Sequence, residues 1–544
     1  MPQDKIKQFF RHELILIVPV LLFLFFCSFH LQDMFVYDEP AFVVSSIPVD
    51  VQPPLYQSLL LFYSRMLGNT EWVFRSFGVI CNLLSAFFLY LIGERIYKNM
   101  GKMAVFLYLL LPVVIQGSLL PDIDNSLLTM FMLLFTFIYL WTSATLQRQL
   151  GFAIFFFILL WTKNTTPYLY LIIIPVMEWF QTKKLWSAGL SLILGLITTG
   201  LFYISLYCFS LFSPANYYAG AIGHNNSYFL AGLNQLFRLK TILFVLYNIN
   251  TFVLWCGPVL IILGFFSIMF IRKESSRQNK GALVFLYLQA VLVSAGYFII
   301  KTTAAGFPKY TFPACAFLSL LVAYVFVINH KKLFEFKIRD SVLFLSGMAG
   351  WIFFIRDPLY SGQVLRLELF YMPGFANIVF QQITHYLFLY TMLTILFLIF
   401  WLMLKNSLKA VLFFFLLYAL MTNFFQAFAS YNVRYAYGEK GFSAATRYLQ
   451  AGHVRYNQIL SRYDLQYYLS DRRQLYASGY ETVFSIVSPE VLNERLTKDK
   501  NIGYLSFPES DINANINREK VLGIIKKQGF SLDRKLEDYL IYKR

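Results

Sequence analysis

The feature that most constrains this chain is a series of apolar runs, recurring from residue 13 to residue 428 and separated by short charged stretches. An α-helix rises 1.5 Å per residue, so about 20 apolar residues cross a hydrocarbon core of roughly 30 Å. Thirteen segments are predicted to span, near 13–31, 73–93, 103–119, 125–143, 151–162, 166–180, 185–212, 245–271, 282–300, 310–329, 341–355, 383–404 and 409–428. Charged residues make up only 14% of the chain, against about 25% in a soluble domain. The expected class is therefore an all-α polytopic membrane protein.

The basic residues test this trace, because cytoplasmic loops collect Lys and Arg. Every second loop complies: Lys5, Lys7 and Arg11; Arg95, Lys98 and Lys102; Arg148; Lys183 and Lys184; Arg272, Lys273, Arg277 and Lys280; Lys331, Lys332, Lys337 and Arg339; Lys405 and Lys409. A missed span would invert every later loop, so the alternation predicts an odd number of spans, a cytoplasmic N-terminus and an extracytoplasmic C-terminus. The basic opening followed by an apolar run imitates a signal peptide, but no small-residue cleavage site follows, and a retained first helix is expected. The net charge of +17 sits in these loops rather than on a folded basic surface, so no nucleic-acid partner is expected. Cys27, Cys81, Cys208, Cys256 and Cys315 lie inside apolar segments, where a thiol behaves as a small hydrophobe. They outline neither a disulfide nor a zinc framework.

Near residue 430 the composition turns polar, through SRYDLQYYLSDRR, SPEVLNERLTKDK and NREKVLGIIKKQGF. TVFSIV, IGYLSF and DYLIYKR read as strands and Arg518 to Lys527 as a helix. Residues 1–430 are thus expected to form a transmembrane module with a long first outer loop at 32–72. Residues 431–544 are expected to form a small extracytoplasmic α/β domain.

This topology sorts the charged residues, and those of the outer loops carry the candidate chemistry. The first outer loop contains Asp38, Glu39 and the Pro53–Pro54 pair, and its stretch from Leu55 to Leu67 has the spacing of a helix lying in the interface plane. The second, LLPDIDNSLL, places Asp122 and Asp124 at the mouth of two spans, where a carboxylate must be paired, hydrated or cation-bound. An Asp at a helix start also caps it, and both readings stand for Asp124. Lys163, Lys301, Lys309 and Arg356 lie at outer span ends against the charge bias. Snorkelling accounts for one such residue; several on one face provide partners for a lipid phosphate.

The order DEP at 38–40, QPPLY at 52–56 and EWVFRSFGVI at 71–80 resembles the start of a GT-C glycosyltransferase. The similarity is to the aminoarabinose (lipid A) transferases and to bacterial relatives of protein O-mannosyltransferases. It continues through PDIDNSLLTMF at 121–131, WTKNTTPYLYLIIIP at 161–175 and FPKYTFPACAFLSLLVAYV at 307–325. Over roughly the first 330 residues the likeness is one of motifs, and beyond that it is architectural.

The resemblance implies an inverting transferase that takes a sugar from a polyprenyl-phosphate donor, such as undecaprenyl phosphate, at the outer face of a bacterial cytoplasmic membrane. The acceptor is a lipid, a glycan or a protein. Asp38 is then the general base on the acceptor hydroxyl, with Glu39 beside it. Asp122 or Asp124 orders the acceptor or a cation. Lys309 and Tyr310 hold the donor phosphate, with Lys163, Lys301 and Arg356 as further cations, and Gln52, Pro53, Pro54 and Arg75 support the motif. The chain departs from the family pattern at Val51 and Gln52, where relatives carry an acidic and a basic residue, and at Phe42, where a tyrosine is frequent. A divalent metal is an open candidate, with Asp124 and His224 as its ligands, although a lone His makes a poor site. No other cofactor is expected. The alternative from a different class is a polytopic transporter or flippase of a lipid-linked or anionic substrate.

Overall fold

The computed structural model describes residues 3–35, 39, 43, 52–142, 145–213, 217–223, 239–300, 307–329, 407–428, 441–461, 463–470, 489–509, 518–537 and 539–544, with isolated helical positions between 342 and 402. Among the described residues seven helices are long and apolar enough to cross a membrane, or up to nine if each of two bent pairs is one span. Almost all of the predicted segments 341–355 and 383–404 lie outside the described residues.

The first helix, α1, spans Gln3–Ser28. Helix α2, Leu55–Leu67, starts after Pro54 and buries Tyr56, Gln57, Leu60 and Ser64 along one face. It turns Phe62, Met66 and Leu67 outward together with Ser58 and Arg65, a mixed apolar and polar outer face. A lipid-bathed interfacial helix has that distribution. Helix α3, Glu71–Ile96, follows directly.

Two predicted spans are broken, and in both a proline breaks them. The run 103–119 forms α4, Met100–Leu110, and α5, Pro112–Ser118, at 67° to each other. A residue before proline is disfavoured in the helical region, and Leu111 accordingly takes φ −63°, ψ 129°. The Leu110 carbonyl released from the ladder accepts a hydrogen bond from Asn423 Nδ2 at 2.9 Å. The run 245–271, expected as one span, is likewise two helices: α10, Leu239–Cys256, and α11, Pro258–Arg272. They bend by 105° at Gly257, whose φ of +82° is open to glycine at little cost.

Between these lie α6, Thr129–Trp141, which continues the turn Asp124–Leu128, then α7, Thr145–Thr162, α8, Tyr170–Thr182, and α9, Leu185–Phe212. Helix α7 begins six residues before the predicted start at 151, because the polar Arg148 is carried into the bundle on a partner. Its Nε and Nη2 donate to Glu178 Oε1 and Oε2 at 2.6 and 2.8 Å. Tyr139 and Ser187 complete the carboxylate's shell, as a buried charge at membrane depth requires.

Helix α12, Arg277–Ile300, and α13, Phe312–Asn329, complete the centre, and α14, Ser407–Ala427, packs beside α1. Every residue of α13 from Phe312 to Phe326 is buried, which fits its uniformly apolar circumference. Helix α9 has apolar residues all round as well, but it sits at the edge and exposes Leu196, Leu201 and Ile204.

The C-terminal segment holds α15, Phe442–Ala451, β1, Ile459–Ser461, α16, Tyr463–Leu469, α17, Pro489–Lys498, β2, Tyr504–Pro508, α18, Arg518–Lys527, β3, Ser531–Leu536, and β4, Tyr539–Lys543. The strands form one sheet in the order β1-β2-β4-β3, parallel between β1 and β2 and antiparallel elsewhere. Leu496, Leu505, Phe507, Val521 and Ile525 form its own apolar core. The predicted strand TVFSIV lies outside the described residues. Strand β3 is exposed along most of its length, so it offers no buried alternation to read from sequence.

This segment docks on the bundle through α16. Tyr468 Oη donates to Glu71 Oε1 at 3.0 Å and accepts from the Phe35 N–H at 2.6 Å. The rings of Tyr467 and Phe35 meet edge to face at 6.0 Å.

Candidate active site

The described residues of the first two predicted outer loops come together at one end of the bundle. Arg75, one turn into α3, is fully buried and directs its guanidinium at Glu39, Nη1 to Oε1 at 2.6 Å and Nη2 to Oε2 at 3.1 Å. Two planar groups meeting through parallel N–H···O bonds are geometrically specific. Nη1 also donates to the Leu119 carbonyl, and Nη2 to the Asp33 and Met34 carbonyls at 3.1 Å each. One side chain therefore ties the first loop to the chain entering the second.

That approach needs Gly78. A Cβ there would lie 2.3 Å from the Ser118 carbonyl oxygen, so any larger residue would push the backbone leading to Asp122 off α3.

Asp122 and Asp124 flank the start of a single π-helical turn, Asp124–Leu128, a local widening that is often found at functional positions. Asp122 Oδ1 accepts the Asp124 N–H at 3.0 Å. Its other oxygen, Oδ2, accepts from Lys309 Nζ at 3.0 Å. Asp124 receives Lys163 Nζ on both carboxylate oxygens. All four side chains are buried. Lys163 stands one residue beyond α7, and Lys309 opens the turn Lys309–Thr311 that leads into α13.

Aromatic rings roof the two ammonium groups. Tyr297 of α12 and Tyr310 stack at 5.4 Å and 19°. Lys163 Nζ lies 4.8 Å from the Tyr310 ring and 5.4 Å from that of Tyr297, and Lys309 Nζ lies 5.3 Å from Tyr310. These are cation–π distances. Tyr297 Oη is fixed by Thr166 Oγ1 at 2.5 Å and Thr165 Oγ1 at 3.2 Å. Tyr297 carries no sequence mark that sets it apart from the other tyrosines, because it lies in the last turn of an apolar helix with no charged residue beside it in the sequence.

Tyr56, at the start of α2, completes the surroundings. Burial, and after it the charge of Asp122, holds its phenol well above the ordinary 10.0, with a hydrogen bond to Ser126 acting the other way. Pro53 and Pro54 are buried beside it and Gln52 is half-buried.

Asp38, Lys301, Arg356 and His224 lie outside the described residues. Among the described residues no group of three His, Cys, Asp or Glu side chains comes together to hold a metal ion, and both oxygens of Asp124 are engaged by Lys163. The described donor set does not fit a metal centre.

Residues 51–208 match the family model described as dolichyl-phosphate-mannose-protein mannosyltransferase. Among solved structures the chain is similar to ArnT from Cupriavidus metallidurans bound to undecaprenyl phosphate, at 14% identity and a TM-score of 0.55, covering 97% of both chains. It is similar as well to the apo state of that protein, at 14% identity and a TM-score of 0.56, covering 98% of both. At this identity the likeness establishes the fold. No curated protein sequence gives a significant match.

Proposed function

We propose that the chain is an inverting glycosyltransferase that moves a sugar from a polyprenyl-phosphate donor to a lipid, glycan or protein acceptor at the outer face of a bacterial cytoplasmic membrane. The observation that carries this reading is the pairing of Asp122 with Lys309 and of Asp124 with Lys163 beneath two stacked tyrosines. Glu39 of the first loop is held by Arg75 at the same end. The similarity to a protein crystallised with undecaprenyl phosphate supports the donor class, and the alternation of basic loops supports the orientation.

In this reading Asp38, which precedes Glu39 in the sequence, accepts the acceptor's hydroxyl proton. The freed oxygen forms its bond to the anomeric carbon from the face opposite the phosphate, while the carbon–oxygen bond to the phosphate breaks and the polyprenyl phosphate leaves as an anion. A positioned carboxylate removes the main barrier of a weak alcohol nucleophile. The leaving phosphate needs electrostatic support more than a proton, and the Nζ–H donors of Lys163 and Lys309 provide it beside their aspartate partners. Asp122 and Asp124 aim both ammonium groups. Glu39 acts as the anchor of the loop through Arg75. Lys301 and Arg356 retain the role of further phosphate partners on the ground of their sequence positions.

The test is incubation of the purified protein with labelled polyprenyl-phosphate sugars and membrane extract, followed by mass spectrometry of whatever gains a hexose or pentose. Consumption of donor with a labelled product confirms the reading. Donor that persists unchanged with every sugar, with active protein verified by its folded state, removes it.

A further inference from the structure

The end of the bundle opposite the aspartate–lysine pairs carries a second built feature. A cavity of about 480 Å³ opens there between the ends of α3, α6, α7, α8 and α12, within the size range of small-molecule sites. Arg95, Arg148 and Arg277 line it together with Trp141, Phe180 and Asn279, and no carboxylate is among its lining residues. Arg148 is neutralised from behind by Glu178. Arg95 lies 5.4 Å over the Trp141 ring and makes no ion pair among the described residues. Arg277 spends one N–H on the Gln181 carbonyl at 3.0 Å, which fixes its direction without cancelling its charge. Arg95 and Arg277, both solvent-exposed, therefore present two guanidinium groups around one concave space with no ion pair among the described residues.

We propose that this cavity binds the phosphate of an anionic phospholipid headgroup. Arginine suits phosphate because its planar fork offers several donors in fixed geometry. The lipid source follows from the position: α3 ends at Ile96, α6 at Trp141 and α7 starts at Thr145, so the cavity lies where spans leave hydrocarbon and headgroups stand. Its apolar walls, Trp141 and Phe180, suit the glycerol and upper acyl region, and a tryptophan belongs at that depth. Basic pockets between span ends take anionic headgroups in this way. A loop arginine serving only to orient the chain needs neither a shared cavity nor a fixed direction. None of these residues belongs to the candidate active site, so the proposal stands apart from the transferase reading.

The test uses the purified full chain in mixed micelles, with phosphatidylglycerol as probe and phosphatidylcholine and inorganic phosphate as comparators, read by the thermal midpoint and by lipid retention in native mass spectrometry. Phosphatidylglycerol is expected to stabilise the protein and stay bound, and the comparators are not. Arg95→Gln with Arg277→Gln should weaken phosphatidylglycerol binding by about tenfold or more. Lys98→Gln with Lys184→Gln removes equal charge from exposed positions outside the cavity and should leave binding unchanged. Arg95→Gln alone repeats the test if the double variant does not fold. The proposal is overturned by undiminished binding in the arginine variants, by equal loss in the lysine variant, or by equal stabilisation with phosphatidylcholine or inorganic phosphate.

Discussion

Glu39 and Arg75 form a fully buried, doubly hydrogen-bonded ion pair across 36 positions of sequence. It joins the first loop to the first long span. Removing Arg75 alone strands a carboxylate away from water, which costs about 3–5 kcal/mol. Arg75→Met is therefore expected to lower the unfolding midpoint strongly. The double variant Glu39→Gln with Arg75→Met should be more stable than Arg75→Met itself, because the stranded charge is gone. Strictly additive losses in a denaturant titration would show that the pair does not couple.

Asp38→Asn is expected to reduce glycosyl transfer by roughly 10²–10⁴-fold while expression and membrane insertion stay normal. Turnover measured on purified, folded protein decides it, and a near-normal rate would reject the base assignment.

Lys309→Ala is expected to raise the KM for the lipid-phosphate donor more than that for the acceptor, since Lys309 stands 3.0 Å from Asp122 and supplies charge to the phosphate side. Equal effects on both constants would assign Lys309 to folding rather than to donor binding.

Gly78→Ala tests the packing that aligns the loops. The added methyl carbon would meet the Ser118 carbonyl oxygen at 2.3 Å, so α5 and the chain to Asp122 must shift. Overpacking of this kind costs about 1–3 kcal/mol. A reduced kcat should accompany the stability loss, and unchanged kinetics would show that the Leu119–Asp122 stretch has slack.

A pH effect is expected at the opposite end. Burial opposes charge on Glu274, but hydrogen bonds from Tyr97, the Ser276 N–H and Tyr324 outweigh it and hold the carboxyl below its ordinary value of 4.5. A depressed native pKa stabilises the fold above the ordinary value, and the contribution is lost as pH falls through the depressed one. Tyr97→Phe should therefore narrow the stability difference between neutral pH and pH 4. Parallel pH profiles for variant and parent would discount the interaction.

Helix positions were legible because their cause is local. An apolar run long enough to span shows in composition alone, so Leu185–Phe212 and the amphipathic Leu55–Leu67 coincide with their predicted bounds. The breaks at Pro112 and Gly257–Pro258 carried visible residues, yet apolar content dominated the reading of 103–119 and 245–271 as single spans. Hydropathy reports depth in the bilayer and is blind to direction, and the 105° bend at Gly257 is a change of direction.

The candidate site divides in the same way. Asp122, Asp124, Lys163 and Lys309 could be singled out from the sequence because charge at a span end is costly enough to need a reason. Which aspartate meets which lysine was not readable, since the partners lie 187 and 39 positions apart on elements whose relative rotation depends on packing. Tyr297 was invisible for the same reason. By itself the sequence determined that the chain lives in a bilayer and where its costly charges fall, because transfer from water to hydrocarbon acts residue by residue. Only the tertiary structure decided the pairing, the stacked tyrosines and the anchoring of Glu39 by Arg75, because each depends on side chains from separate helices reaching within a few ångströms in one packed arrangement.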